Sequence, residues 1–263
     1  MFGKKWVVIG ASGFIGSNVY NYLVDNGENV IMLCHDIRNI DMIEHYTKNA
    51  DIVINCAALA NLTACIDNPL RAYAVNTMGV VNILEACRRN NVKRVILSSS
   101  NVVYGSTSPY KSSMLAAEDI GQTFSNMYGL SVVSLRYANV YGKGSRNKWK
   151  HPTIFAAFKK QKEEKGYVEV MGDGSQTRNY IHVNDVVDAI LQAAKSEFCG
   201  VLDICTSVDT SVMEIAGMFG CPIKYIESKQ GDVPKIKQDP SRAKEVLGWE
   251  ARVELKEGIK DVL

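Results

Sequence analysis

Over the first 140 or so residues, short apolar runs bounded by turn residues alternate with stretches whose apolar side chains recur at helical spacing. A continuous apolar run predicts a strand buried on both faces, and positions three and four apart predict a helix with one covered face. Strands are predicted at Trp6–Ile9, Asn29–Leu33, Asp51–Asn55, Arg94–Leu97 and Val132–Leu135. Helices are predicted at Phe14–Asn26, Ile40–Lys48, Leu70–Asn90 and Pro109–Tyr128, with Gly27 and Gly129 as stops. Strand and helix in alternation imply an α/β fold, a doubly wound parallel sheet.

After Tyr141 the texture changes. A polar, basic loop is predicted over Gly142–Trp149, a helix over His151–Lys165, a short strand over Val168–Val170 and a loop over Gly172–Asn179. Asn184–Lys195 reads as a helix capped by Asn184, and Val201–Cys205 as a strand returning to the main sheet. Asp239 as N-cap, Pro240 at the first helical position and Gly248 past the end punctuate a last helix. Residues 1–140, joined by 181–205, are thus expected to form a Rossmann-like domain, with 141–180 and 206–263 as a smaller C-terminal substrate lobe.

Chemistry enters at Gly10-Ala-Ser12-Gly13-Phe14-Ile15-Gly16, between the first strand and its helix. The first glycine permits a tight turn, the second lets backbone approach a pyrophosphate, and the third lets helix and strand pack closely. The helix N-terminus then faces the phosphates. This strand–turn–helix context predicts an NAD(P) site. A carboxylate after the second strand would grip the ribose of NAD, whereas an arginine would tolerate the 2′-phosphate of NADP. The usual place holds Cys34, and Asp36, Ile37 and Arg38 follow, so the choice of NAD or NADP stays open. The alternative for Asp36 and Arg38 is a solvated turn.

Composition narrows the setting. The 263 residues are 46% hydrophobic, enough for one large domain or a domain with a lobe, without disulfide or metal staples. Thirty Lys+Arg against 28 Asp+Glu give a net charge of +2 with no block of like charge. That argues against nucleic acid or an anionic membrane as partner. No apolar run approaches the ~18–20 residues that span a bilayer. Met1–Gly10 leads straight into a strand, leaving no room for a signal peptide, and seven scattered cysteines lack any Cys-x-x-Cys pair. Reduced thiols in a cytoplasmic protein are expected. His35, His45, His151 and His182 show no metal-ligand spacing, so no metal is expected.

Beyond Gly10–Gly16, distinctive stretches follow at Asp51–Ala58, Asn76–Gly79, Ser98–Gly105, Pro109–Glu118, Leu135–Gly142, Gly172–Arg178, Gly231–Pro234 and Asp239–Trp249. In their order, and over nearly the whole chain, they resemble the extended short-chain dehydrogenase/reductase family. The likeness is to its NAD-dependent nucleotide-sugar epimerases and dehydratases, and within these to the UDP-glucose 4-epimerases. The resemblance implies that Ala57 and Ala58 form a loop beside the cofactor, with Asn76 near the nicotinamide. Ser98 and Tyr137 join the cofactor set. Ser100 would hydrogen-bond the sugar, and Tyr110 would be the general base of a Tyr-x-x-x-Lys motif. Asn139, Arg178 and Lys229 would contact the diphosphate of a UDP-linked sugar, and the chain would be a homodimer through Leu70–Asn90 and Pro109–Tyr128. Without the resemblance, Asn76 bonds backbone, Asn139 shapes a turn and Arg178 is a surface cation.

The chain departs from that pattern in three places. Met114 stands where the family's lysine favours the tyrosinate. A free tyrosine is ionised about once in a thousand molecules at pH 7, and bringing its pKa to 7 takes roughly 4 kcal/mol. The helix dipole supplies about 0.3–1 kcal/mol, up to ~2 if partly buried, and Lys111 points about 100° away around the helix. Second, only Ser106, Thr107 and Ser108 separate Tyr104-Gly105 from Pro109-Tyr110, a shorter loop that predicts a more open site. Third, the path from the second strand into Asp36–Lys48 omits a helix or loop and a strand, which predicts a narrowed sheet.

The resemblance implies a C4 epimerase using transient NAD(P)-dependent oxidation, with Tyr110 as base and Ser100 bridging. The alternatives are an NADPH-dependent keto-sugar reductase, which Cys34 with Arg38 would suit, and a protein that binds a dinucleotide or nucleotide sugar without turnover. A dehydratase is disfavoured because Asn101-Val102 replaces the acid pair it needs.

Overall fold

A computed structural model of the chain describes residues 3–144, 153–227 and 236–263. The first half contains β1 (Lys5–Ile9), α1 (Phe14–Asp25), β2 (Asn29–Leu33), α2 (Ile40–Thr47) and β3 (Ile52–Asn55). It continues through α3 (Leu62–Asp67), α4 (Pro69–Tyr73), a π turn (Ala74–Met78), α5 (Gly79–Arg89) and β4 (Arg94–Ser100). A 3-10 turn (Asn101–Tyr104), α6 (Pro109–Tyr128) and β5 (Val132–Tyr137) complete it. The second half contains β6 (Asn139–Tyr141), α7 (Ile154–Lys165), β7 (Val168–Met171), β8 (Thr177–His182), α8 (Val183–Lys195) and β9 (Gly200–Ile204). Then come β10 (Asp209–Ser211), α9 (Val212–Met218), β11 (Ile223–Ile226), α10 (Ser241–Leu247) and α11 (Leu255–Gly258).

The main sheet has six parallel strands in the order β2-β1-β3-β4-β5-β9. Its strands read as unbroken apolar runs because both faces are covered. Val8, Ile54, Ile96 and Val133 pack towards α1 and α8, while Val7, Ile9, Val53 and Val95 pack towards α2, α5 and α6. A doubly wound order of 3-2-1-4-5-6 would place another strand outside β2. Among the described residues α2 leads directly from β2 to β3, so β2 forms the edge. The sheet is narrowed as the sequence predicts.

A three-stranded sheet (β10-β8-β6) and a two-stranded one (β11-β7) close over the aromatic core of Tyr141, Phe155, Phe158, Tyr180 and Phe219. The tail then returns to the main core. Trp249 is 1% exposed, its Nε1 donates to the Asp185 carbonyl at 3.2 Å, and the Asp185 carboxylate accepts from the Arg252 and Val253 amides.

Several elements differ from expectation. The loop predicted over Gly172–Asn179 turns into strand at Thr177, because β6 and β10 supply ladder partners from distant sequence. The single helix predicted over Leu70–Asn90 is broken. Asn68 and Pro69 start α4, and the π turn separates it from α5. His182, not Asn184, caps α8, its Nδ1 accepting from the Asn184 amide at 3.2 Å. Asp239 lies one residue before the cap Pro240, and its carboxylate accepts from the Ser241 amide at 2.9 Å. β4 and β5 run past Leu97 and Leu135, because Ser98–Ser100 keep their ladder with Leu135–Tyr137. The predicted 142–149 loop and the start of the predicted helix at His151 fall largely outside the described residues.

Candidate active site

Two adjoining cavities, of about 600 and 490 Å³, run along the C-terminal ends of the central strands and share Cys56 and Ala58. The glycine turn lies beside both. Gly10 has φ +75°, and a Cβ there would sit 2.6 Å from the Ala57 nitrogen; at Gly16 it would sit 2.3 Å from the Gly10 carbonyl oxygen. Both positions therefore exclude a side chain. α1 starts after Gly13 with no capping side chain and no acidic residue in its first turn. Its N–H groups and positive dipole end lie where Ser12, Gly13 and Ile15 line the cavities. This donor set fits a dinucleotide diphosphate. Phe14 begins α1, and its carbonyl accepts from Asn18 Nδ2 at 2.8 Å.

Asp36, Ile37 and Arg38 line the 490 Å³ cavity in different ways. Ile37 is a core side chain, packed against Gly79 where a Cβ would meet its Cδ1 at 2.5 Å. Its carbonyl accepts from Asn82 Nδ2 at 3.1 Å. Asp36 and Arg38 form an ion pair with each other, and hydrogen bonds from Arg38 hold the Asp36 carboxyl down at about 2. Arg71, from α4, enters the same cavity. No motif marks Arg71, because its place depends on the break before α4.

At the far end, Ser108 caps α6, its Oγ accepting from the Lys111 amide at 3.1 Å, and Pro109 opens the helix. Tyr110 therefore falls in the first turn. It lines the 600 Å³ cavity together with Ser100, whose Oγ accepts from the Val102 amide at 3.2 Å. Burial pushes the Tyr110 phenol up to about 12, against the smaller pull of Ser100. Met114 is buried beside it with Leu59, Cys65 and Val103. Lys111 does not replace the missing cation, since its Nζ donates to the Gly105 carbonyl at 2.8 Å. Gly105–Ser108 line the cavity as its short outer wall.

Asn76 sits in the π turn and is 2% exposed. Its Oδ1 accepts from the Leu59 amide at 2.8 Å and its Nδ2 donates to Ser113 Oγ at 3.1 Å. It thereby ties the loop after Ala57 and Ala58 to α6. Ser98 Oγ and the Tyr137 hydroxyl are 3.3 Å apart in the cavity wall. Burial holds the Tyr137 phenol protonated. Asn139 and Arg178 line both the 600 Å³ cavity and a third one of about 340 Å³. Asn139 Nδ2 donates to the Asn179 carbonyl at 2.9 Å, which couples β6 to β8. Lys229 lies outside the described residues.

The structure also brings in Glu118, which no motif singled out by role. It lies four residues after Met114 and eight after Tyr110, so helical spacing was the available signal. Its carboxylate accepts from Ser99 and pairs with Arg136 at 2.7 Å. Arg136 in turn donates to the Tyr104 hydroxyl at 2.6 Å, and that hydroxyl donates to Asp203 at 2.9 Å. The 3-10 turn after Ser100 is anchored by this chain of bonds.

Residues 6–200 match the NAD dependent epimerase/dehydratase family. The chain belongs to that family. It is an enzyme of the epimerase/dehydratase type on a Rossmann-like fold. A putative UDP-glucose 4-epimerase of Methanocaldococcus jannaschii is 31% identical across 98% of this chain and 96% of the relative. That alignment runs over 300 positions against 263 residues here, so the relative carries segments this epimerase/dehydratase lacks. The structure of UDP-glucose 4-epimerase with UDP-glucose from Thermotoga maritima superposes with a TM-score of 0.91 at 29% identity, covering 98% of this chain and 97% of that one. The UDP-glucose 4-epimerase of Thermus thermophilus in complex with NAD gives 0.85 at 25% identity, covering 98% and 97%.

Proposed function

We propose that this chain interconverts the C4 epimers of a UDP-linked sugar. In this reading, Tyr110 handles the proton of the C4 hydroxyl and Ser100 bridges to it. The observation that carries the reading is the meeting of Tyr110 and Ser100 in the wall of one 600 Å³ cavity that extends from Ile15 to Asn139 and Arg178. The structures with UDP-glucose and with NAD in the two bacterial relatives support the same occupants here. NAD or NADP fits the exclusion of side chains at Gly10 and Gly16 and the uncapped start of α1. Gly10, Ser12, Gly13, Ile15, Gly16, Ala57 and Ala58 would hold it, and Ser98 and Tyr137 would complete the set. When bound, the nicotinamide supplies reversible two-electron oxidation at C4.

The chain's own residues do the rest. Ser100 stabilises the tyrosinate by donating to it, while the Val102 amide fixes the Ser100 oxygen. Asn76 fixes, through the Leu59 amide and Ser113, the loop and the helix that pack around Tyr110. Arg178 offers a cation to the sugar-nucleotide diphosphate, and Asn139 positions its strand. The same chemistry would fall to Lys229. A second copy of the chain is the proposed partner, docked on Leu70, Tyr73, Met78 and Leu115, which are exposed on α4, the π turn and α6.

Met114 and the protonated Tyr110 favour a second reading. A phenol that holds its proton is in the form that can hydrogen-bond a keto oxygen and give it the proton, which suits a keto-sugar reductase. Proton NMR of the anomeric signals separates the two. With UDP-glucose or UDP-galactose and an oxidised dinucleotide, slow interconversion is expected, faster by about tenfold or more in Met114→Lys because an adjacent cation lowers the phenol pKa. No interconversion by either protein would overturn the epimerase reading.

A further inference from the structure

β2 ends at Leu33, and the next residue, where a carboxylate would grip the adenosine ribose, is Cys34. The charged residues lining the 490 Å³ cavity there are Asp36, Arg38 and Arg71, with His35 beside them. Asp36 is already committed. Its carboxylate accepts from Nε and Nη2 of Arg38 and from the Arg38 amide, the last at 3.0 Å. Nη1 of Arg38 makes no hydrogen bond among the described residues, nor does the Arg71 guanidinium. His35 Nε2 lies 3.3 Å from the Tyr46 hydroxyl, which steadies the ring at the cavity edge. Two guanidinium groups against one neutralised carboxylate leave the pocket with a net positive charge. A ribose hydroxyl needs an acceptor such as a free carboxylate; a phosphate monoester needs guanidinium donors.

We infer that this cavity takes the 2′-phosphate of NADP(H), with Arg38 and Arg71 as its cationic partners and Cys34 in place of the carboxylate that would select NAD(H). This rests on the dinucleotide site described under the proposed function. The specificity follows from what the chain lacks as much as from what it adds. A carboxylate at position 34 would repel the phosphate across the same space that Arg38 and Arg71 now make favourable.

Titration of the full chain with NADPH and with NADH, read by the fluorescence of the reduced nicotinamide, tests this without turnover. NADPH is expected to bind at least about tenfold more tightly, the effect of one or two charge-assisted hydrogen bonds. Arg38→Ala and Arg71→Ala each lower the NADPH affinity several-fold more than the NADH affinity, and Cys34→Asp reverses the preference. Calorimetry of the wild-type chain with adenosine 2′,5′-bisphosphate against ADP reads the same subsite should a variant fail to fold. Equal or tighter binding of NADH, or arginine variants that weaken both cofactors alike, would overturn the inference and leave the epimerase reading in place. Binding of neither dinucleotide would overturn both.

Discussion

A phenol pushed to about 12 is ionised in roughly one molecule in 10⁵ at pH 7. Tyr110 is therefore an acid that becomes a base only at the expense of about 7 kcal/mol, of which the dipole of α6 returns ~2 at most. Met114 supplies nothing electrostatic, and Lys111 is held at Gly105. The sign of the pH dependence follows. The competent tyrosinate grows tenfold per pH unit below its pKa, so kcat for C4 interconversion should climb with unit slope from about pH 6 to 9 without levelling. In Met114→Lys the plateau should arrive at lower pH, because the new ammonium lies one turn along on the same helix face. A flat wild-type profile over that range would show that Tyr110 ionisation does not govern the rate.

Between elements, the Glu118–Arg136 pair joins α6 to β5 where both run beside the site. Glu118 is 5% exposed, so its removal leaves a guanidinium largely out of water. Glu118→Gln should destabilise the fold by about 3–5 kcal/mol, seen as a lower urea midpoint at unchanged slope, and Glu118→Leu with Arg136→Met should cost less than either single change. If the double variant is the less stable, the pair contributes attraction rather than merely avoiding an unpaired charge. This pair also shows where sequence reading stops. Strands and helices of the first half were legible because two-sided burial and helical period leave direct marks, and Ser108-Pro109 announced the start of α6. The π turn leaves no such mark: Asn76 keeps helical spacing with its neighbours, and its bonds to the Leu59 backbone, 17 residues away, and to Ser113 reveal its task. β8 was hidden for a similar reason, its partners being remote. The place of Arg71 beside Asp36 and Arg38 depends on which loops meet, and no local pattern encodes that.

At the scale of the whole molecule, the missing strand beyond β2 was legible as a shortened path from Leu33 to Ile52, and the structure shows its consequence in a sheet that ends on β2. The exposed Leu70, Tyr73, Met78 and Leu115 gather on the opposite flank of the glycine turn's sheet face, on helices already joined by the Tyr73–Ser112 hydrogen bond of 2.7 Å. Sedimentation at micromolar concentration should give the mass of two chains, and Met78→Lys with Leu115→Lys should return it to one; a wild-type mass of one chain would sink the dimer. The stitching of the tail has a different consequence, one in time. β9 forms an edge of the main sheet, α8 covers one of its faces, and Trp249 plugs the core they share. A nascent chain that has emerged only as far as residue 140 lacks β9, α8 and Trp249, so one face of its sheet stays incompletely covered until about a hundred further residues have emerged.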